Sequence, residues 1–320
     1  MAGISNQLKV GFADDITATA PTFTFMTLDP VYVQKDRPRH LLEEVGRGDR
    51  SYSGMFVENS FMSNVTVKAL MTRSLLYRIL KEHIGTVGTK ATATSNFTYT
   101  FNSASTKLGL PTYSYAREFA MFYDDGTNME RMQVVLTNSK IIGETNGMVM
   151  CELTLLGHSH TPTSITFPDT FNETNDYDKY STGDTSLFVQ GTSSISEDDL
   201  DSFSIEYDMN ISDLKQKLNN KFRAEGGSRN AMIRVTSTLS ANMRTLWEQT
   251  NPAKTNMRFT FVNGNGDDMD IVLSNLVPNE RTVNPSINEV IPEDTTWTSA
   301  PLATTGTVLT VKNTSDIVSN

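Results

Sequence analysis

The chain has 320 residues, of which 38% are hydrophobic and 20% are charged, and its formal net charge is −10. This length is sufficient for two domains of ordinary size. The acidic excess disfavours binding to a phosphate backbone, because such binding depends on lysine and arginine. The one cysteine, Cys151, excludes intrachain disulfides and a cysteine-cluster zinc site. No apolar run approaches the roughly 20 residues of a membrane helix, and the N-terminal sequence lacks a signal-peptide pattern, so we expect synthesis in the cytoplasm.

The first half of the chain predicts strands around one helix. Gln34–Gly54 is dense in charge and contains Pro38 and three glycines, which is typical of a long projecting loop that serves function or an interface. Ser60–Leu70 has strand character. Thr72 is a suitable N-cap for a helix that runs to about Ile84. The helix carries an apolar stripe at helical spacing, formed by Leu75, Leu76, Ile79, Leu80 and His83.

Three further segments complete this half. Thr86–Ser95 is polar and contains glycine, which predicts a flexible turn region, and Asn96–Asn102 alternates as a strand. Glu130–Ser159 contains two apolar runs separated by turn formers, and Asn146-Gly147 predicts a chain reversal. The alternation of the second run predicts a half-buried hairpin strand with Cys151 on its inner face.

The second half repeats this order. Thr161–Asp184 is polar and acidic and predicts a linker or an ordered excursion. Ser202–Ile211 alternates most clearly, with apolar residues on one face and Ser204, Glu206 and Asp208 on the other. Ser212–Asn230 predicts a second extended loop. Ser240 is a suitable cap for a short helix, and the sequence after it predicts a hairpin and a last strand.

The repeated order predicts an internal duplication. Val135-Leu136-Thr137-Asn138 is echoed by Val272-Leu273-Ser274-Asn275, and each half has one helix and several strands. We therefore predict a mainly β fold, with β-sandwich or barrel-forming sheets and one flanking helix per domain. The predicted domains are residues 1–160 and 196–320, with a polar acidic linker or excursion over residues 161–195.

The sequence contains no recognisable catalytic constellation. His158 and His160 are spaced so that both rings could share one strand face as a metal pair, although a solvated pair at a strand end is the simpler interpretation. Acidic pairs fall in turns, where solvated aspartates are expected. Cys151 is expected to be a small core residue rather than a nucleophile. We therefore expect no enzymatic activity, no cofactor and no metal.

Several segments together resemble the tail tube protein of long-tailed bacteriophages, in the variety with two tube domains. The resemblance extends from about residue 18 to residue 312. It is carried by Leu70–Gly85 (LMTRSLLYRILKEHIG), Leu110–Phe119 (LPTYSYAREF), Arg131–Gly157, Asp201–Asn210 (DSFSIEYDMN) and Met269–Arg281 (MDIVLSNLVPNER).

This resemblance implies a virion tail protein whose copies join their sheets into closed rings. Two domains per chain imply trimers with pseudo-sixfold symmetry, stacked into a tube through which DNA passes without specific binding. The implied partners are further copies of the chain and other tail proteins, namely the tape measure, the terminator and the tail tip. No membrane partner is implied.

Two sets of candidate site residues follow from this resemblance. Ser204, Glu206 and Asp208 are candidates for a lumen face, where acidic and hydroxyl groups would repel and hydrate DNA, but an outer solvated face explains them equally well. Candidates for contacts between rings lie in the charged loops: Arg37, Arg39, Arg47, Asp49, Arg50, Lys217, Lys221 and Arg223. A virion decoration or receptor-binding protein remains the alternative function, and a β-rich hydrolase is a third.

Overall fold

The fold is known from a computed structural model of the full chain. The structure describes residues 9–13, 25–27, 31–36, 39–41, 56–58, 62–71, 73–93, 96–103, 118–124, 129–144, 147–162, 181–190, 193–197, 200–209, 211, 214–216, 222–224, 230–248, 255–262, 269–285, 291–299 and 307–312.

The described residues of the first half form eleven strands and one helix. They are β1 (Lys9–Ala13), β2 (Phe25–Thr27), β3 (Val31–Asp36), β4 (Arg39–Leu41), β5 (Phe56–Glu58), β6 (Met62–Leu70), α1 (Arg73–Ile84), β7 (Gly85–Ala93), β8 (Asn96–Ser103), β9 (Glu118–Asp124), β10 (Met129–Glu144) and β11 (Met150–Pro162).

In the second half, the residues that the structure describes form ten strands and a shorter helix. They are β12 (Ser181–Gln190), β13 (Ser193–Glu197), β14 (Leu200–Asp208), β15 (Leu214–Gln216), β16 (Phe222–Ala224), β17 (Asn230–Thr238), α2 (Ala241–Trp247), β18 (Thr255–Val262), β19 (Met269–Val283), β20 (Pro292–Ser299) and β21 (Thr307–Lys312). The prediction of a mainly β chain is confirmed.

Eight antiparallel strands form a continuous sheet in the order β3, β6, β11, β10, β14, β17, β20 and β19. Further strands branch from its two longest members. The first part of β10 pairs with β9, which leads to β1 and β2. The first part of β19 pairs with β18 on one edge and with β21 on the other. Among the described strands, the pairs form a branched network that contains no closed circuit.

The two halves of the chain have the same pairing order. In the first half the order is β3, β6, β11, β10 and β9, and α1 follows β6. In the second half it is β14, β17, β20, β19 and β18, and α2 follows β17. A separate two-stranded sheet lies between the first two strands in each case, β4 with β5 and β15 with β16. The predicted loops Gln34–Gly54 and Ser212–Asn230 therefore each contain a short strand pair or part of one.

One face of the eight-stranded sheet forms the core. A row of fully buried side chains crosses four strands and both halves of the chain, formed by Ile141, Ile205, Ile233 and Trp297. The apolar stripe of α1 packs on this core, as does Met243 of α2. Ser240 caps α2 as predicted, since its side-chain oxygen accepts a hydrogen bond from the Met243 amide at 3.0 Å. Burial of this apolar face holds the two halves in one cluster.

Two segments predicted to be turn or linker are partly strands. The prediction of a turn region at Thr86–Ser95 is wrong for most of its length, because Gly85–Ala93 is a strand paired with β8. Within the predicted linker or excursion, Ser181–Gln190 is a strand that pairs with β18 and β13. That part of the excursion is therefore integrated into the sheet, and the domain boundaries remain a prediction.

Candidate assembly site on the polar face and the sheet edges

The second face of the eight-stranded sheet is polar. Across its first strands the charges alternate in one row of directly paired residues: Lys68, Glu152, Lys140 and Glu206. Lys68 Nζ lies 2.5 Å from Glu152 Oε1, and Asn138 Nδ2 donates to Glu206 Oε1 at 2.8 Å. Opposite charges on directly paired residues favour this register by about 0.2–1 kcal/mol per pair.

The polar face is acidic overall. Six carboxylates and four basic groups stand at its described positions, which gives a difference of −2. The acidic residues are Glu144, Glu152, Glu206, Asp208, Glu280 and Asp294, and the basic residues are Lys68, Arg131, Lys140 and Arg234. Threonine, serine and asparagine occupy many of the positions between them. Such a surface repels a polyanion and binds water well.

The eight-stranded sheet ends in two edges. Among the described strands, β3 pairs only with β6. On β19 the pairing with β18 ends at Leu276, whereas the pairing with β20 continues to Val283. The second part of β19, residues 277–283, therefore has one edge without a registered partner in the described part of the chain. Free backbone N–H and C=O groups along an edge can accept another strand.

The junction between the two halves lies where β10 meets β14, and the end of α1 lies against it. His83 at the end of α1 is buried, and its Nε2 lies 2.7 Å from Ser139 Oγ on β10. Its ring stacks on Tyr207 of β14, with 5.5 Å between the ring centroids. The predicted apolar stripe of the helix is thus confirmed, and its histidine joins a strand from each half.

A partly buried ion pair lies beside the second edge, with the Arg281 side chain 18% exposed. Arg281 on β19 donates through Nε to Glu293 Oε1 on β20, and the Glu293 side chain has no solvent exposure. The hydrogen bond to Glu293 raises the pKa of Arg281, so the guanidinium is held in its charged form. The second oxygen, Glu293 Oε2, is buried and has no hydrogen-bond partner among the described residues. The sequence reading missed this pair, because the charged residues are twelve positions apart.

The predicted lumen residues lie together. Ser204, Glu206 and Asp208 are half-buried on the polar face of β14, opposite the buried Phe203, Ile205 and Tyr207. The alternation predicted for this strand is confirmed, and its orientation toward a lumen stays a prediction.

The candidates for contacts between rings are less well defined. Arg39 lies in β4 and Arg223 lies in β16, within the two small strand pairs. The remaining six lie outside the described residues: Arg37, Arg47, Asp49, Arg50, Lys217 and Lys221.

The described residues with potentially reactive side chains include one cysteine and two histidines, all in β11. Cys151 is fully buried on β11, and desolvation raises the pKa of its thiol well above the usual range, which disfavours the nucleophilic thiolate. In the described parts of the chain, no three His, Cys, Asp or Glu side chains come together as a metal site. His158 and His160 lie in β11. None of the helices that the structure describes has the length and apolarity needed to cross a bilayer.

Comparison with known proteins gives the family. A family model described as phage tail tube protein matches residues 7–299, which is most of the chain. A search of curated proteins found no match. The family match spans both halves of the chain, including the eight-stranded sheet, its polar face and its two edges. The chain therefore belongs to the phage tail tube protein family, whose members are structural components of the virion tail.

Proposed function

We propose that this chain is the repeating subunit of a tail tube, in which rings of three copies with pseudo-sixfold symmetry stack around a channel for DNA. The observation that carries the proposal is the eight-stranded sheet, which has one core face, one polar face and an available edge at each end. A sheet with those properties can continue from copy to copy and close into a ring. Rotation closes the ring, whereas stacking along the axis leaves growing ends.

The pseudo-sixfold symmetry rests on an internal duplication. The matching pairing order of the two halves supports two tube domains, at residues 1–160 and 196–320, with the excursion between them. The two small strand pairs occur at the same place in that order. Their charged surroundings make them the candidates for contact with the next ring.

The polar face is the candidate lining of the channel. Its acidic excess, with hydroxyl and amide groups between the charges, would keep DNA hydrated and moving rather than bound. The partners are then other copies of the chain, together with the tape measure, terminator and tail tip proteins. DNA would be a passing cargo. Family membership favours this function over a virion decoration or receptor-binding protein.

Negative-stain microscopy of the purified chain over a rising concentration series tests the function. We expect rings and then hollow filaments with a uniform diameter. A chain that stays monomeric at every concentration and salt condition would contradict the proposal.

The channel lining can be tested by cysteine labelling. Ser204→Cys places a thiol on the polar face, and Thr245→Cys places one on the exposed surface of α2, which packs on the opposite face. Buried Cys151 should contribute little background. In tubes, we expect a small maleimide to label both variants, whereas a maleimide carrying a 5-kDa-class polymer should label only Thr245→Cys. Labelling of Ser204→Cys by the polymer at the rate seen in unassembled chains would refute the luminal orientation.

A further inference from the structure

We infer that the eight-stranded sheet passes from one copy to the next by pairing β3 of one copy with the second part of β19 of its neighbour, with Val33 opposite Val283. The partner is a second copy of this chain. This inference deepens the proposed function and rests on it for the existence of rings. It adds the identity of the two edges and their register, both of which follow from a comparison of the two halves.

Two backbone hydrogen bonds give the correspondence between the halves. Just before α1, the amide of Met71 donates to the carbonyl of Val149 at 2.9 Å. Just before α2, the amide of Leu239 donates to the carbonyl of Ile291 at 2.9 Å. Met71 therefore corresponds to Leu239, and Val149 to Ile291. These bonds lie at the same point of the pairing of β6 with β11 and of β17 with β20.

The correspondence extends to the edge strands. Six residues before Met71 is Val65, which pairs with Val33 on β3. Six residues before Leu239 is Ile233, which pairs with Ile205 on β14. Val33 therefore corresponds to Ile205.

β10 and β19 are aligned in the same way, from the residues two positions after the hydrogen-bond acceptors Val149 and Ile291. Cys151 pairs with Ile141 on β10, and Glu293 pairs with Val283 on β19. Ile141 therefore corresponds to Val283. Since Ile141 pairs with Ile205 across the junction inside the chain, the corresponding pair between two copies is Val283 with Val33.

Strand direction and a local irregularity support this register. Strands alternate in direction from β3 to β19, so β3 of a further copy would be antiparallel to β19, like every other neighbour in the sheet. On β10, the pairing with β9 ends at Val135 and the pairing with β14 begins at Asn138. The corresponding gap on β19 contains Pro278, which lacks an N–H and is tolerated where pairing is interrupted.

The two junctions differ in chemistry. Inside the chain, Ser139 meets His83 beneath the last turn of α1. Arg281 occupies the position that corresponds to Ser139, and its carboxylate partner is Glu293. The shorter helix α2 ends at Trp247, which corresponds to Ile79, one turn before the position of His83. The junction between copies thus has an ion pair where the internal junction has a histidine.

Disulfide trapping tests the register. Gln34 and Thr282 are directly opposite in the inferred pairing, and directly paired residues in antiparallel strands lie within disulfide reach. The variant Gln34→Cys/Thr282→Cys, assembled and then treated with a mild oxidant, should give covalent dimers and trimers that separate on reduction. The control Gln34→Cys/Glu280→Cys is displaced by two residues along the same face and should form far less cross-link. Each single-cysteine variant provides the background.

The possible results distinguish a failure of the inferred strand pairing from a failure of the proposed function. Abundant trimers from the first variant alone support both the edges and the register. If microscopy shows normal tubes and the first variant does not cross-link above the single-cysteine background, the inference is wrong and the proposed function stands. If the control cross-links better than the first variant, the edges stand and the register is wrong. If neither wild type nor variants form rings, the proposed function fails and the inference fails with it.

Discussion

Replacement of Arg281 by leucine is expected to lower the free energy of unfolding by about 3 kcal/mol, the lower end of the cost of breaking a buried ion pair by removing one partner, because the Arg281 side chain is itself 18% exposed. Glu293 has no solvent exposure, and its Oε2 has no hydrogen-bond partner among the described residues, so the variant would leave a buried carboxylate without its cation. The measurement is chemical denaturation at a chain concentration below assembly, because association would add to the apparent stability.

A double variant distinguishes the loss of the ion pair from the effect of leaving one charge without its partner. The double variant Arg281→Leu/Glu293→Met removes both charges and should recover most of the loss, since two apolar groups can replace a buried ion pair at little cost. Lys68→Gln is the matched control for a solvent-exposed pair, because Lys68 Nζ lies 2.5 Å from Glu152 Oε1 and the Lys68 side chain is 62% exposed. Its effect should be about 1 kcal/mol or less. Equal effects of Arg281→Leu and Lys68→Gln would refute the importance assigned to the pair of Arg281 with Glu293.

Local patterns in the sequence predicted those elements whose structure depends on their own residues. The alternation around Phe203, Ile205 and Tyr207 predicted both faces of β14. Ser240 predicted the start of α2, because a cap is a contact between near neighbours in the chain. The family was also recognisable from the sequence, since the resemblance and the family model cover nearly the same residues.

Predictions failed where a partner strand decides the conformation. Thr86–Ser95 contains glycine and polar residues typical of a turn, yet Gly85–Ala93 extends because β8 pairs along it. Tertiary pairing overrides weak local preferences in such a segment. The echo of Val135–Asn138 at Val272–Asn275 falls in β10 and β19, which have the same place in the two pairing orders, but it does not give their alignment. The hydrogen-bond pattern aligns Val135 with Val277, five residues further along.

The candidate assembly site could be predicted only in part for the same reason. Composition and alternation are properties of one strand, so the polar face of β14 was visible in the sequence. Whether a strand has an available edge depends on which strands pair beside it. The two edges could therefore be recognised only from the strand pairing of both halves. The ion pair of Arg281 with Glu293 was likewise hidden, because it joins two strands across a hairpin.

The two halves are expected to unfold as one cooperative unit. β10 and β14 are paired at seven consecutive positions, and the apolar core contains residues of both halves. Leu155 in the first half and Trp297 in the second occupy corresponding positions and are fully buried. Leu155→Ala should cost about 2–5 kcal/mol and Trp297→Ala about 3–5 kcal/mol, through lost burial and the cavity left behind.

Both tryptophans lie in the second half, which makes Leu155→Ala the informative variant. Loss of Leu155 from the first half should shift the unfolding transition seen by Trp247 and Trp297 fluorescence as far as the transition seen by far-ultraviolet circular dichroism. Leu239→Ala is the matched control, because Leu239 is 40% exposed and its truncation should cost within about 0.5 kcal/mol. If Leu155→Ala left the fluorescence transition in place while an earlier transition appeared by circular dichroism, the halves would be separate folding units. The β10–β14 junction would then resemble a contact between copies more than the interior of a domain.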